Sequence, residues 1–427
     1  MSLKVILAGF NTDRENPSST PETLSAAYAR ISRDPSPVNE LRRVSAREVE
    51  TARESNRRIV FDYGHGSVAE HAVFNIDVLG VSRLAVEALQ SFRLASFTEK
   101  SQRYIRIGED WHLPTGIDDP KAFTSAVSEL FKAYNRLLKD LAGAGFEKGT
   151  AREDARYLLP LAATSQMGMT VNARELEHMI RRLRAHPLAE VRALADALFE
   201  VVEPVAPSLM LFTSPSAMDG FAHMQPAPLS GAEEVALLHC DGDERVVEWL
   251  ERVFGHHDRR RLFEMVYGNL DVHDALPRAW ELFRADFSLT LSATAYAQLK
   301  RHRMCTQLVS AYDTGLGFTV PPSVREAGFE GMFTDAVESA GAAADRLGTH
   351  YLLTNAHRRQ VVVSMNGREF HHFCRLRDDA HAQWDIRGLA GKMLALASGR
   401  APQTLALACG KSRWSEVKAR VSGTPAP

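Results

Sequence analysis

At 427 residues the chain has room for two or three ordinary domains, and its 45% hydrophobic and 24% charged content is that of a soluble globular protein. A formal net charge of −2 excludes a global basic field for gripping nucleic acid, and no run approaches the roughly 20 apolar residues of a membrane span, so the expected ligands are small anions held by local arginine clusters. Four scattered cysteines, Cys240, Cys305, Cys374 and Cys409, fit reduced thiols rather than a disulfide or zinc framework, and with no secretory cleavage pattern the protein is expected to be cytoplasmic.

Residues 1–9 carry a short apolar strand pattern. Alternation over His71–Val78 predicts a strand leading to a helix that ends near Ser91-Phe92-Arg93. Amphipathic spacing predicts helices over Ala122–Leu141 and Leu188–Val202. Between them the β-rich run Met167–Val171 feeds a helix starting at Asn172, where an Asn side chain caps free N–H groups. Pro204–Glu234 is rich in Pro, Ser, Gly and Met, lacks a sustained helical period, and reads as a linker. Beyond it, Ala285–Leu291 and Gln360–Ser364 repeat the two strand patterns, the second running into Asn366. The expected organisation is a domain over 1–205, a linker over 206–234 and a domain over 235–427. Each is α+β, with a mixed or antiparallel sheet core flanked by helices.

The chain repeats itself. Asn172-Ala-Arg-Glu-Leu-Glu-His178-Met-Ile-Arg181 returns as Asn366-Gly-Arg-Glu-Phe-His-His372-Phe-Cys-Arg375, and upstream Ser91-Phe-Arg-Leu-Ala-Ser96 is echoed by Arg301-His-Arg-Met-Cys-Thr306. Two copies in the same order indicate a fused dimer rather than a solenoid. The copies differ in chemistry. On the second, Asn366, Phe370, Phe373 and Arg377 form an apolar stripe that ends in a guanidinium needing a partner; the first stripe, Asn172, Leu176, Met179 and Leu183, ends in a core residue. Arg301-His302-Arg303 as a bare string is an ordinary solvated basic surface, but its fixed place in the repeat points to anion binding.

Taken together these residues resemble the flavin-dependent thymidylate synthase (ThyX) family in both halves. In the first, Ala29-Arg-Ile-Ser32, Gly64-His65-Gly-Ser67-Val-Ala-Glu70-His71, Ser101-Gln-Arg103-Tyr104, Ala155-Arg156-Tyr-Leu-Leu-Pro160 and Asn172-Ala-Arg174 follow the family's order. In the second, Gln298-Leu-Lys-Arg301-His-Arg303 and Asn366-Gly-Arg368 through Arg377-Asp-Asp-Ala-His381-Ala-Gln-Trp-Asp-Ile386 do the same. The departures are complementary. The first half lacks the Arg-His-Arg triplet and has Leu183 at the late arginine. The second has Leu276 near the echo of His65, Tyr312 for Arg103 and His350 for Arg156, and only six residues between Arg303 and Ser310 where the first half has seven between Arg93 and Ser101.

The resemblance implies a nucleotide site of Ser101, Gln102, Arg103 and Arg156 from the first half with Gln298, Arg301 and Arg377 from the second, flanked by Glu99 and Tyr104. Arg377, Arg156, Glu99 and Tyr104 are the implied catalytic residues. FAD is implied to lie against Ser32, His65, Ser67, Arg301, His302, Arg303, Asn366, Arg368, His372 and His381. The implied reaction is reductive C5-methylation of dUMP to dTMP with 5,10-methylenetetrahydrofolate and NADPH. Because members of the family are homotetramers with sites assembled between subunits, the fused chain is expected to be a homodimer equivalent to that tetramer, with two working sites. Its partners are a small-molecule nucleotide and folate, with no nucleic acid and no membrane. Two rival functions stay open: C5-methylation of another uridine nucleotide such as UMP, and non-catalytic flavin or nucleotide binding. His371, His372 and His381, read as sharing a helix, are not expected to bind a metal, because Arg368, Arg375 and Arg377 crowd them.

Overall fold

The computed structural model describes residues 2–228 and 233–422. Met1 of the expected first strand, and residues 229–232 of the expected linker, lie outside the described residues. The chain forms two compact units: described residues through Met224 together with Glu338–Leu353, and Gln225–Val337 with the described residues from Thr354 onward. Residues 206–224, expected in a linker, therefore belong to the first unit, and a segment from deep in the second half of the sequence joins them.

Each unit holds one four-stranded sheet. In the first, β1 (Lys4–Phe10), β2 (Val73–Ser82), β3 (Ala95–Glu99) and β4 (Thr164–Asn172) lie in the order β1-β2-β4-β3. In the second, β5 (Val235–Cys240), β6 (Arg284–Ser292), β7 (Thr306–Tyr312) and β8 (Arg358–Asn366) lie in the order β5-β6-β8-β7. All pairs are antiparallel, so the expected α+β class holds in its antiparallel form. Identical strand order in two units of one chain is the structural counterpart of the sequence repeat.

The local chemistry that builds each copy is the same. Ser82 ends β2, and its Oγ accepts from the Ala85 amide to cap helix Arg83–Leu89; Ser292 ends β6 and caps Ala293–Leu299 through Ala295 in the same way. The cap hydroxyls are themselves held: Ser82 Oγ donates to Glu190 at 2.5 Å, and Ser292 Oγ to Asp385 at 2.5 Å. Asn172 Oδ1 accepts from the Glu175 amide at 2.9 Å, opening helix Ala173–Arg184, and Asn366 Oδ1 accepts from Glu369 at 2.9 Å, opening Gly367–Arg377.

Against one face of the first sheet, Leu176, Met179 and Leu183 pack with Phe74, Ile76 and Val78 in one buried cluster. In the second unit Phe287 of β6 stacks on Phe370 at 5.7 Å, and Trp280, Tyr267 and Phe263 extend the core. Burying such side chains contributes roughly 1.5–3 kcal/mol each. The stretch expected as a linker starts with structure: Ser208 is buried, its Oγ donates to Glu22 at 2.7 Å and accepts from Asn56 at 3.2 Å.

Candidate functional site

In the first unit the residues expected at the nucleotide cluster where β3 ends. Glu99 is nearly buried and pairs with Arg83, while Gln90 donates to it at 3.3 Å and Ser165 at 3.1 Å. Just beyond, the Arg103 amide donates to Ser101 Oγ at 3.2 Å, a local bond that turns the chain so that Arg103 and Gln102 face inward and Tyr104 outward. Glu153 ties the arginines together: its carboxylate accepts from Arg103 Nη2 at 3.2 Å, and its backbone carbonyl from Arg156 Nε at 3.1 Å. Arg103 also lies 5.6 Å from the Tyr104 ring centroid.

Electrostatically this corner is cation-rich. Burial pulls the Arg156 guanidinium below the usual arginine range, Tyr157 and Glu153 oppose this, and the like charges of Arg103 and Arg83 push the same way as burial. Arg103 Nε and Glu153 Oε1 are buried with no hydrogen-bond partner among the described residues. An anion is what such a corner accommodates at least cost. Ser32, His65 and Ser67, expected at the flavin, are all exposed, and Gly66 between the latter two lies under Arg174, whose Nε would be 3.3 Å from an added Cβ.

In the second unit the Arg-His-Arg triplet is not one cationic patch. Arg301 and Arg303 are exposed, whereas His302 is buried between them. Its Nδ1 meets Glu369 Oε1 at 2.9 Å and its Nε2 meets Arg377 Nε at 3.0 Å. Arg377 Nη1 reaches Gln298 Oε1 at 3.5 Å, and Gln298 Nε2 donates to Gln383 at 3.4 Å. The guanidinium at the end of the apolar stripe has thus found its partners within the unit.

The other residues expected at the flavin show a mixed picture. Arg301 has no hydrogen-bond or ion-pair partner among the described residues, and His372 is exposed with its ring 5.7 Å from His302. Arg368 is paired with Glu281 at 2.6 Å, and Asn366 Oδ1 is committed to its helix cap. The sequence reading that put His381 on one helix with His371 and His372 is corrected: that helix ends at Arg377, and His381 sits in the following turn against Asp379 at 2.8 Å. The donor set of exposed guanidinium and imidazole groups suits the phosphates of a dinucleotide cofactor.

Sequence reasoning missed four residues. Strand register aligns Glu99, opposite Met167, with Val309, opposite Val361; the helix caps align Arg83 with Ala293; and Ser165 aligns with Arg359. In the second unit Arg359 is buried, stacked 4.2 Å from the Tyr312 ring centroid and 4.9 Å from that of Tyr296, with Nε donating to the Ser310 carbonyl at 3.2 Å. The place of the Glu99 cluster is filled by the protein's own cation. Arg83, Glu153 and Arg359 are legible only as differences between the repeats, whereas Glu369 is shared with Glu175 of the other copy, so no difference marks it.

Comparison with known proteins bears on the family and on the duplication. The profile of the family described as thymidylate synthase complementing protein matches residues 16–208 and again 237–403. The flavin-dependent thymidylate synthase of Geobacter sulfurreducens is 33% identical over 214 residues, covering 49% of this chain and 88% of that one. That of Clostridium tetani is 30% identical over 216 residues, covering 47% and 85%. A solved structure, the UMP/dUMP methylase PolB from Streptomyces cacaoi bound with 5-Br dUMP, aligns with a TM-score of 0.40 and 23% identity over 49% of this chain and 93% of its own. Relatives of single length match half of this chain, while the family profile matches it twice, over stretches that hold β2 to β4 of the first sheet and β6 to β8 of the second. The chain therefore belongs to the thymidylate synthase complementing protein family, ThyX, as two tandem copies.

Proposed function

We propose that the chain is a flavin-dependent thymidylate synthase that methylates C5 of dUMP reductively, with methylenetetrahydrofolate as one-carbon donor and NADPH as reductant. In this reading Ser101, Gln102, Arg103 and Arg156 of the first half and Gln298, Arg301 and Arg377 of the second act on one nucleotide, in two sites per homodimer. The observation that carries the proposal is the division of labour between copies. One keeps a corner of Arg83, Arg103 and Arg156, with no counterpart to Arg377; the other keeps Arg301 and the held Arg377, with Arg359 and Tyr312 where that corner would be. Neither copy alone carries the full set of cations.

FAD, held by Arg301, Arg303, Arg368 and His372 with Ser32, His65 and Ser67, supplies hydride chemistry when bound. The chain's own groups do the rest. Arginine forks at Arg103 and Arg156 bind phosphate and uracil carbonyls. A fixed guanidinium at Arg377 stabilises negative charge on the ring as C5 becomes nucleophilic. No cysteine nucleophile is required, and three of the four cysteines are buried; burial raises the thiols of Cys374 and Cys409.

The test is NADPH oxidation and dTMP formation with dUMP and methylenetetrahydrofolate, run beside UMP. Turnover on dUMP is expected, with a loss of roughly 100-fold or more in Arg103→Ala and in Arg301→Ala. Turnover on UMP alone would replace the substrate, and bound flavin without turnover on either would replace the enzyme with a binding protein. Mixing the two inactive variants restores activity only if a site draws its halves from different chains.

A further inference from the structure

Three residues of one helix, Glu369, Phe373 and Arg377, fall at i, i+4 and i+8 and form a single stripe. His302 lies along it: 2.9 Å from the Glu369 carboxylate, its ring 5.0 Å from Phe373 in an edge contact, and 3.0 Å from Arg377 Nε. The geometry allows one protonation state. Nδ1 faces a carboxylate and must carry the proton; Nε2 faces an arginine N–H and must present its lone pair. A second proton on the ring would set N–H against N–H at 3.0 Å. Burial, the first cause, and the Arg377 charge hold the imidazole below its usual range, against the pull of Glu369.

The duplicated half supplies an internal control. At the matching positions the first unit has Glu175, Met179 and Leu183, and Phe92 occupies the place of His302. Phe92 sits 5.8 Å from His178 in the same edge geometry that His302 makes with His372 at 5.7 Å. There the glutamate turns elsewhere, accepting from the Leu94 amide at 3.2 Å. Histidine and arginine occur together in one copy and are absent together in the other, on the same backbone. A structural role for His302 alone does not require Arg377; an imidazole whose purpose is to hold that arginine does.

We propose that Glu369 and His302 form a buried relay that fixes the plane and direction of the Arg377 guanidinium, making His302 a positioning residue for the nucleotide site and not a ligand of the flavin. This rests on the reading of Arg377 as the group that meets the nucleotide. By gripping Nε, the relay stops rotation about the long side chain, and Gln298 limits it from the Nη1 side. The entropy of ordering an arginine is met in the folded protein before the nucleotide arrives.

The experiment uses the full chain labelled with nitrogen-15 arginine, and compares wild type with His302→Phe, His302→Gln, His302→Asn and Glu369→Gln. Arg377→Lys identifies the Arg377 Nε–H signal. That signal exchanges slowly with solvent in the wild type and becomes fast in His302→Phe and Glu369→Gln. His302→Phe, which reproduces the Phe92 arrangement of the other copy, keeps its bound flavin and loses about 10- to 100-fold in kcat/KM for the nucleotide. Gln, whose amide oxygen reaches the place of Nε2, restores most of the loss; Asn, which reaches only Glu369, does not. An Arg377 signal unmoved in His302→Phe overturns the relay, as does loss of flavin with nucleotide binding intact. A wild-type chain that turns over no uridine nucleotide overturns the proposed function instead, and the exchange measurement still decides whether the relay exists.

Discussion

Glu99 shows what one side chain can do when three neighbours converge on it. Its carboxylate is nearly buried and takes Arg83, Gln90 and Ser165 as donors, which makes it the clamp at the end of β3 from which the Ser101–Arg103 turn departs. Removing one member of a buried ion pair costs about 3–5 kcal/mol, because the other charge stays behind in a poor solvent. Glu99→Val should therefore lower unfolding free energy by about that amount in chemical denaturation. The second copy already holds Val309 and Ala293 at the two positions of the pair, so adding Arg83→Ala to Glu99→Val should recover most of the loss. If the double variant is no more stable than the single one, the pair is not what holds this corner.

Helices Ala173–Arg184 and Gly367–Arg377 begin with the same Asn cap and differ at their first residue, alanine in one and glycine in the other. A Cβ on Gly367 would come within 2.6 Å of the Trp280 carbonyl oxygen and 3.3 Å of its ring, so the second helix packs its first turn directly on the Arg278–Leu282 turn. Gly367→Ala should cost about 1–3 kcal/mol through overpacking, despite alanine's better helix propensity, whereas Ala173→Gly should cost about 1 kcal/mol or less. Equal losses measured by denaturant titration would rule out the close approach. Much of this level was legible in the sequence. The strand runs before Asn172 and Asn366, the Asn caps and the long helix now seen as Pro120–Gly143 depend on residues within a turn or two of each other. What was not legible depends on residues far apart in the chain. Alternation of exposure across Arg301, His302 and Arg303 is set by Glu369, 67 positions away from His302. The same holds for Arg359, whose neighbours Tyr296, Ser310 and Tyr312 lie about fifty or more positions before it in the chain.

At the scale of the whole chain, the first unit is not made by the first half of the sequence alone. Residues Glu338–Leu353 belong to it. The Leu161 amide donates to the Leu353 carbonyl at 2.7 Å and the Ala162 amide to that of Tyr351 at 2.8 Å, so the entry to β4 is braced by backbone from almost two hundred positions later. The Tyr351 hydroxyl donates at 2.8 Å to Glu190, the same carboxylate that holds the Ser82 cap. Burial and the adjacent Glu190 charge push the phenol well above its usual range, so it stays a donor at any ordinary pH. Tyr351→Phe removes one donor from a buried carboxylate and should cost about 1–3 kcal/mol. The backbone bonds make a stronger demand. A chain ending after residue 234 would leave the Leu161 and Ala162 amides without these acceptors and Glu190 without its phenol, and should be recovered insoluble or with non-cooperative unfolding. Co-expression with a chain of residues 235–427, which keeps all four strands of the second sheet, should rescue the short fragment by supplying the missing groups in trans. A soluble, cooperatively folding fragment of residues 1–234 would show instead that the late segment is packed on a unit already complete without it.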